Sequence, residues 1–336
     1  MAKVSVIGAG SWGTALAVLL NSNKHEVTLW SYSASEVDTL RMEREQKRKL
    51  SGVLIPEEIY ITNMIEEAIK DQDVVVMAVP STAIRSTARK CAPFVKEGQI
   101  FVDVAKGIEE STLMTMTQIM EEEIPWANVA VLSGPSHAEE VGRGIPTTIV
   151  VGAKNRETAL YLQNIFMNDK FRVYISSDMI GIEVGGSLKN VVALAAGAAD
   201  GLGYGDNTKA ALITRGVAEI SRLGMAMGGR YETFSGLTGI GDLIVTCASK
   251  HSRNRKAGYL LGQGYTYQEA MDEVKMVVEG VHSAKAAIAL GRKYDISLPI
   301  IEMVNKVLFE DMPASEAVKE LMLRDKTIEN SLVDWE

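Results

Sequence analysis

The first thirty residues narrow the folds open to this chain more than any other stretch. Lys3 to Ile7 is a short apolar run of strand type, followed by Gly8-Ala9-Gly10-Ser11-Trp12-Gly13. A helix is predicted from Thr14 to about Asn21, and Val27 to Trp30 is a second strand. This is the strand–GxGxxG–helix–strand order of a dinucleotide-binding unit. Gly8 makes the tight turn, Gly10 lets the backbone approach a pyrophosphate, and Gly13 allows helix and strand to pack closely. The helix N-terminus adds amide donors and a positive dipole end. The same stretch imitates a secretory leader, with Ala15-Leu16-Ala17 as a mock cleavage site. Its apolar run is interrupted by the glycine loop and continues beyond that site through Val18, Leu19 and Leu20, so it reads as strand, turn and helix.

The end of the second strand commonly carries an acid for the ribose of NAD or an arginine for the phosphate of NADP. Here the residues are Ser31, Tyr32 and Ser33, which are neither. Arg41, Arg44 and Lys47 follow in a charged segment that reads as a solvated helix face. The choice between NAD and NADP stays open at this point.

Strands and helices go on alternating. Asp73 to Val79 reads as a buried parallel strand ending in Pro80-Ser81, and Ile100 to Ala105 ends in Lys106-Gly107. Val129 to Leu132 leads into Ser133-Gly134-Pro135-Ser136, and Thr148 to Val151 and Phe171 to Ile175 are two more. Ligands of open α/β sheets sit beyond the carboxyl ends of the strands. That is where Pro80, Lys106, Gly134 and Ser136 fall, although Lys106 also reads as an ordinary loop lysine. Near Ser176-Ser177-Asp178 the strand signals stop and helical ones take over. The expected architecture is therefore α/β: a Rossmann-type doubly wound sheet over residues 1–178 and an all-α domain over 179–336.

At 336 residues the chain is long enough for two such cores. Its net charge of −8 argues against a general nucleic-acid or membrane-surface role. An anionic substrate would need a local cationic pocket. Cys91 and Cys247 form no CxxC and suit a reducing cytoplasm, and four scattered histidines imply no metal site.

In the second half, Gly181 to Gly216 is rich in small residues, which let another backbone or a flat ligand come close. Lys189 stands inside this apolar run, followed by Asn190. A desolvated lysine holds its proton less tightly, making Lys189 a candidate proton donor. The alternative is a lysine that snorkels from a core helix to water. The apolar run from Val191 to Ala199 is too short for a membrane span, which needs roughly 20 residues. Further on, Ser252 is a plausible N-cap, with Arg253 and Asn254 in the first helical turn. Cations there oppose the helix dipole, so the turn is either an anion site or a basic solvated turn.

Taken together these motifs resemble the bacterial NAD(P)-dependent sn-glycerol-3-phosphate dehydrogenases, over nearly the whole chain. The resemblance rests on GAGSWGTALA (Gly8 to Ala17), AVPS (Ala78 to Ser81), AKG (Ala105 to Gly107) and SGPSHAEEV (Ser133 to Val141). It extends through GGSLKNVVALAAG (Gly185 to Gly197), DGLGYGDNTKAALITRG (Asp200 to Gly216), GDLIVTC (Gly241 to Cys247), HSRNR (His251 to Arg255) and VVEG (Val277 to Gly280). It implies that Lys189 is the catalytic lysine, with Lys106, Asn190, Asp242 and Thr246 around the reacting carbonyl. Arg253 and Asn254, with Ser252 beside them, match the residues that hold the substrate phosphate, and Gly134 and Ser136 look like further substrate contacts. Ser11, Trp12, Lys106, Ala138, Arg253, Val277 and Glu279 match cofactor-contacting positions, alongside the glycine loop, Tyr32 and Pro80. The helical domain is implied to be similar to that of 6-phosphogluconate dehydrogenase. Close relatives often carry His-Arg where this chain has Tyr32-Ser33, and without that arginine a 2′-phosphate loses an obvious partner.

The implied reaction interconverts dihydroxyacetone phosphate and sn-glycerol 3-phosphate with NAD(P)H, in the cytoplasm and for phospholipid synthesis. Lys189 would protonate the alkoxide, oriented by Asp242 and Asn190. A homodimer is implied by the resemblance alone. Two rivals stand beside it: a dehydrogenase of β-hydroxy acids, which would bind a carboxylate, and a redox-sensing binder without turnover.

Overall fold

The computed structural model describes residues 1–326, 328 and 329. Eight strands form one sheet: β1 (Lys3–Ile7), β2 (Glu26–Trp30), β3 (Tyr60–Thr62), β4 (Val74–Met77), β5 (Ile100–Asp103), β6 (Asn128–Ser133), β7 (Thr147–Ala153) and β8 (Phe171–Ser176). Their order is β3-β2-β1-β4-β5-β6-β7-β8. The first six run parallel in the dinucleotide-binding order, with β1 and β4 meeting at the topological switch point. β7 pairs antiparallel with β6, and β8 parallel with β7, so the last two strands extend the sheet in the opposite direction.

Both faces of this sheet are covered, which is why its central strands are apolar throughout. In β4, Val74 and Val76 enter one core with Leu16, Leu20 and Leu29, while Val75 and Met77 enter another with Phe101 and Met120. That alternation is the two-residue period of a strand serving two cores. β3 is too short to register as a periodic signal, and the sequence reading did not contain it. The first helix runs Ser11–Ser22, so it starts within the glycine motif instead of after it.

Beyond Ser176 the described chain is helical. Asp178 caps the long Met179–Gly201 helix: Gly181 N donates to its Oδ1 at 2.9 Å, while Arg230 N and Thr233 Oγ1 donate to its Oδ2 at 2.8 and 2.6 Å. This helix has the length and composition of a membrane span, yet 89% of its most apolar window is buried inside the protein. Its small residues admit another helix, Arg253–Gly262, at backbone contact. A Cβ at Gly197 would lie 2.1 Å from the Arg255 carbonyl oxygen, and one at Gly258 would lie 2.0 Å from that of Leu194. Asp206–Ala226, Asp242–Ala248 and Glu279–Tyr294 pack around the same axis. Most of the stretch Asp325–Glu336, which carries no chemistry legible in the sequence, lies outside the described residues.

The charged segment after β2 is exposed at Arg41 and Lys47, as a solvated face would be, and half-buried at Arg44. Arg41 donates to the Ile61 carbonyl, and Arg44, at the left-handed C-terminus of the Ala34–Glu43 helix, donates to those of Pro56 and Ile59. Carbonyls left over at β3 and the preceding loop thus find donors in both guanidinium groups.

Candidate active site

Lys189 lies halfway along the Met179–Gly201 helix and is buried. Its ammonium donates to Asp242 Oδ1 and to Thr246 Oγ1, each at 2.6 Å. The Asp242–Ala248 helix presents both acceptors, one turn apart, after a π-helical segment at Leu237–Gly241. Thr246 donates its own hydroxyl proton to the Asp242 carbonyl at 2.6 Å, leaving its lone pairs for Lys189. The second Asp242 oxygen accepts from Lys106 Nζ at 2.7 Å, and Lys106 also donates to the Gly134 carbonyl at 2.9 Å. One buried carboxylate thus joins a lysine from the end of β5 to a lysine from the helical half.

The electrostatics follow from that arrangement. Burial, opposed by Asp242 and reinforced by the charge of Lys106, lowers the Lys189 pKa to about 8. Burial would raise the Asp242 carboxyl, but two ammonium groups outweigh it and hold the group below its usual range. Each lysine spends two of its three N–H donors on the protein and keeps one. The alternative in which Lys189 snorkels to water does not fit its surroundings.

Asn190 makes no hydrogen bond to Lys189. Neighbours on a helix point about 100° apart, and the Asn190 Oδ1 instead accepts from Asn254 Nδ2 at 2.9 Å. Asn254 Oδ1 in turn accepts from Gly280 N at 2.9 Å, so one amide hydrogen of Asn254 remains for a ligand. Ser252 caps its helix, its hydroxyl accepting from Arg255 N at 3.1 Å. Arg253 leads that helix, is exposed, and has no side-chain hydrogen bond or ion pair among the described residues. Arg255, two positions later, is tied instead to Asp200 at 2.6 Å. Ser136 folds back on the Gly134 carbonyl at 2.9 Å, beside Lys106.

The glycine loop fits a dinucleotide. Gly8 has φ +125°, and a Cβ there would meet the Ala78 carbonyl oxygen at 2.5 Å. A Cβ at Gly13 would lie 1.8 Å from the Gly8 carbonyl oxygen, whereas one at Gly10 would meet no protein atom within 4 Å. Gly8 and Gly13 therefore serve the fold, and Gly10 faces open space. No side chain caps the Ser11–Ser22 helix, leaving its N-terminus to a pyrophosphate. Trp12 packs on the sheet core, Ala138 is buried in that same core, and Tyr32 is exposed at the end of β2. Pro80 and Val277 are exposed. Glu279 joins the two halves, its carboxylate accepting from Ser81 Oγ at 2.5 Å and Ser81 N at 3.3 Å.

His137 was not among the residues the sequence singled out. Its ring lies 5.8 Å from that of His251, centroid to centroid, although the two are far apart in the chain. Its Nε2 is buried without a partner. Burial, then the charge of Lys189, lowers its pKa, so a neutral imidazole stands by the lysines. Its place between Ser136 and Ala138, in a loop beyond β6, was the available signal.

Two family models match the chain: the N-terminus of NAD-dependent glycerol-3-phosphate dehydrogenase over residues 3–159, and its C-terminus over residues 178–319. A curated glycerol-3-phosphate dehydrogenase [NAD(P)+] of Agathobacter rectalis is 64% identical over 335 residues, covering 100% of both chains. The chain belongs to the NAD-dependent glycerol-3-phosphate dehydrogenase family. The enzyme of the same name from Bacillus subtilis is 51% identical, over 98% of this chain and 96% of that one. A crystal structure of glycerol-3-phosphate dehydrogenase from Coxiella burnetii superimposes with a TM-score of 0.93 at 35% identity, covering 96% of this chain and 99% of that one. The glycine loop and the Lys106–Asp242–Lys189 cluster thus lie on a fold shared with other members of this family.

Proposed function

We propose that this protein interconverts dihydroxyacetone phosphate and sn-glycerol 3-phosphate with a nicotinamide nucleotide as redox partner. The observation that carries the reading is the Asp242 carboxylate clasped between Lys106 and Lys189, at the carboxyl ends of the strands. The hydride is supplied by, or returned to, NAD(P) when it is bound.

The chain's own residues handle charge and protons. As the ketone carbon gains a hydride, its oxygen becomes an alkoxide, and the uncommitted N–H of Lys189 is the acid that protonates it. In the reverse direction the neutral amine of Lys189 takes the hydroxyl proton. Asp242 and Thr246 fix that nitrogen in place, so the remaining N–H has a defined direction. Lys106 adds positive potential where negative charge develops. Arg253, the free amide hydrogen of Asn254 and the helix N-terminus behind Ser252 bind the phosphate away from the reacting carbon. Binding energy there positions the carbonyl.

Gly134 and Ser136 line the substrate side of Lys106, while Gly10, Ser11 and Trp12 receive the nucleotide. The product would serve phospholipid synthesis. Cys91 and Cys247, both free and buried, suit a reducing cytoplasm, and a homodimer is our expectation from the family resemblance. Oxidation of NADH and of NADPH followed at 340 nm (roughly the absorbance maximum of the reduced ring) with dihydroxyacetone phosphate tests the reading. Turnover that requires the phosphate supports it, and equal rates on dihydroxyacetone would contradict it.

A further inference from the structure

The adenosine end of the nucleotide cleft carries an acid that the end of β2 does not reveal. Glu36 lies in the first turn of the Ala34–Glu43 helix, which Ser33 caps by accepting from Glu36 N at 3.3 Å. Its carboxylate reaches back to the strand end, where Ser31 Oγ donates to Oε2 at 2.5 Å. Its Oε1 accepts from Gln46 Nε2 at 3.0 Å, and the same buried amide donates to the Ala9 carbonyl at 2.8 Å. Glu36 is therefore one hydrogen bond from the end of β2 and one bridging side chain from the glycine loop. Those are the two walls between which the ribose of a dinucleotide lies in this fold.

We infer that Glu36 makes this protein prefer NAD(H) over NADP(H), by accepting hydrogen bonds from the ribose hydroxyls and repelling a 2′-phosphate. The inference rests on the dehydrogenase reading above and deepens it.

The groups that touch this carboxylate are donors, as a ribose diol would be. Four of the five cations of the segment are already committed. Arg41 and Arg44 serve backbone carbonyls, Lys47 lies 3.3 Å from Glu43, and Lys49 lies 2.7 Å from Glu36 itself. Arg48 is exposed and unpaired among the described residues. A 2′-phosphate would have to draw Lys49 away from Glu36 while facing that carboxylate. Burial raises the Glu36 pKa, but hydrogen bonds from Lys49 and Ser31 outweigh it, so the group is ionised at neutral pH.

The test is equilibrium binding to the full-length protein, read by nucleotide fluorescence, for NADH and NADPH separately. The wild type is expected to bind NADH about tenfold more tightly or better, a lower bound that allows for screening of the like-charge contact by water and by Lys49. Glu36→Gln, which keeps an acceptor for Ser31, is expected to narrow that ratio by about fivefold or more, chiefly by tightening NADPH. The wild-type ratio needs no variant, so it decides even if Glu36→Gln folds poorly. Equal affinities, a preference for NADPH, or a ratio untouched by Glu36→Gln would overturn the inference alone. Binding of neither nucleotide would overturn the dehydrogenase reading with it.

Discussion

Lys189 and Asp242 come from helices 53 positions apart in the chain, and their charged atoms meet at 2.6 Å in a buried site. The same carboxylate holds Lys106 at 2.7 Å, so two cations share one anion. That surplus of positive charge, added to burial, makes the Lys189 proton transferable near neutral pH. It also favours an anionic oxygen in front of the pair.

The pH dependence should run in opposite senses in the two directions. With the Lys189 pKa lowered to about 8, the ammonium needed for ketone reduction is present below that pH and is lost above it. The rate constant kcat/KM for dihydroxyacetone phosphate is expected to fall about tenfold per pH unit well above 8. Oxidation of glycerol 3-phosphate needs the neutral amine and should rise toward a plateau over the same range. Initial rates in both directions between pH 6 and about 10 check this.

Arg253→Ala should act on binding. Arg253 is exposed and unpaired among the described residues, so its loss costs the free protein little. Removing charge-assisted bonds to a phosphate should lower kcat/KM by about 1.5–3 kcal/mol, expressed mainly as a higher KM. Steady-state kinetics on the phosphorylated ketone separate the two constants. A loss confined to kcat would remove Arg253 from the phosphate site.

The glycine loop offers a contrast within six residues. Gly13→Ala drives a methyl group to 1.8 Å from the Gly8 carbonyl oxygen and should destabilise the N-terminal half measurably in thermal unfolding. Gly10→Ala meets no protein atom, so its unfolding midpoint should stay near that of the wild type. Its affinity for the dinucleotide should nevertheless fall about tenfold or more, because the added methyl group occupies the path of the pyrophosphate. Calorimetry and nucleotide titration of the two variants check both halves of the statement.

Much of this is legible in the sequence. The glycine motif, taken with the strands on either side of it, reported a dinucleotide-binding unit, and the alternation that follows reported the sheet. Small residues around Lys189 marked a helix that something must approach closely, although whether helix or ligand was open, and the Arg253–Gly262 helix turned out to fill that role. What the sequence hid is what folding brings together. The pairing of Asn190 with Asn254 spans 64 positions and leaves no trace in the local sequence. Glu36 lies three residues beyond Ser33, where the strand-end rule looks for an acid and finds none. His137 and His251 looked scattered because their contact depends on two loops from different halves. The antiparallel direction of β7 left no trace in its apolar pattern, which is the same in either sense.

The central claim is that Lys189 moves the proton, and the turnover of Lys189→Ala with saturating NADH and dihydroxyacetone phosphate tests it most directly. With nucleotide binding retained, kcat is expected to fall by on the order of 10²–10⁴. A variant that binds NADH normally and turns over at close to the wild-type rate would contradict the account.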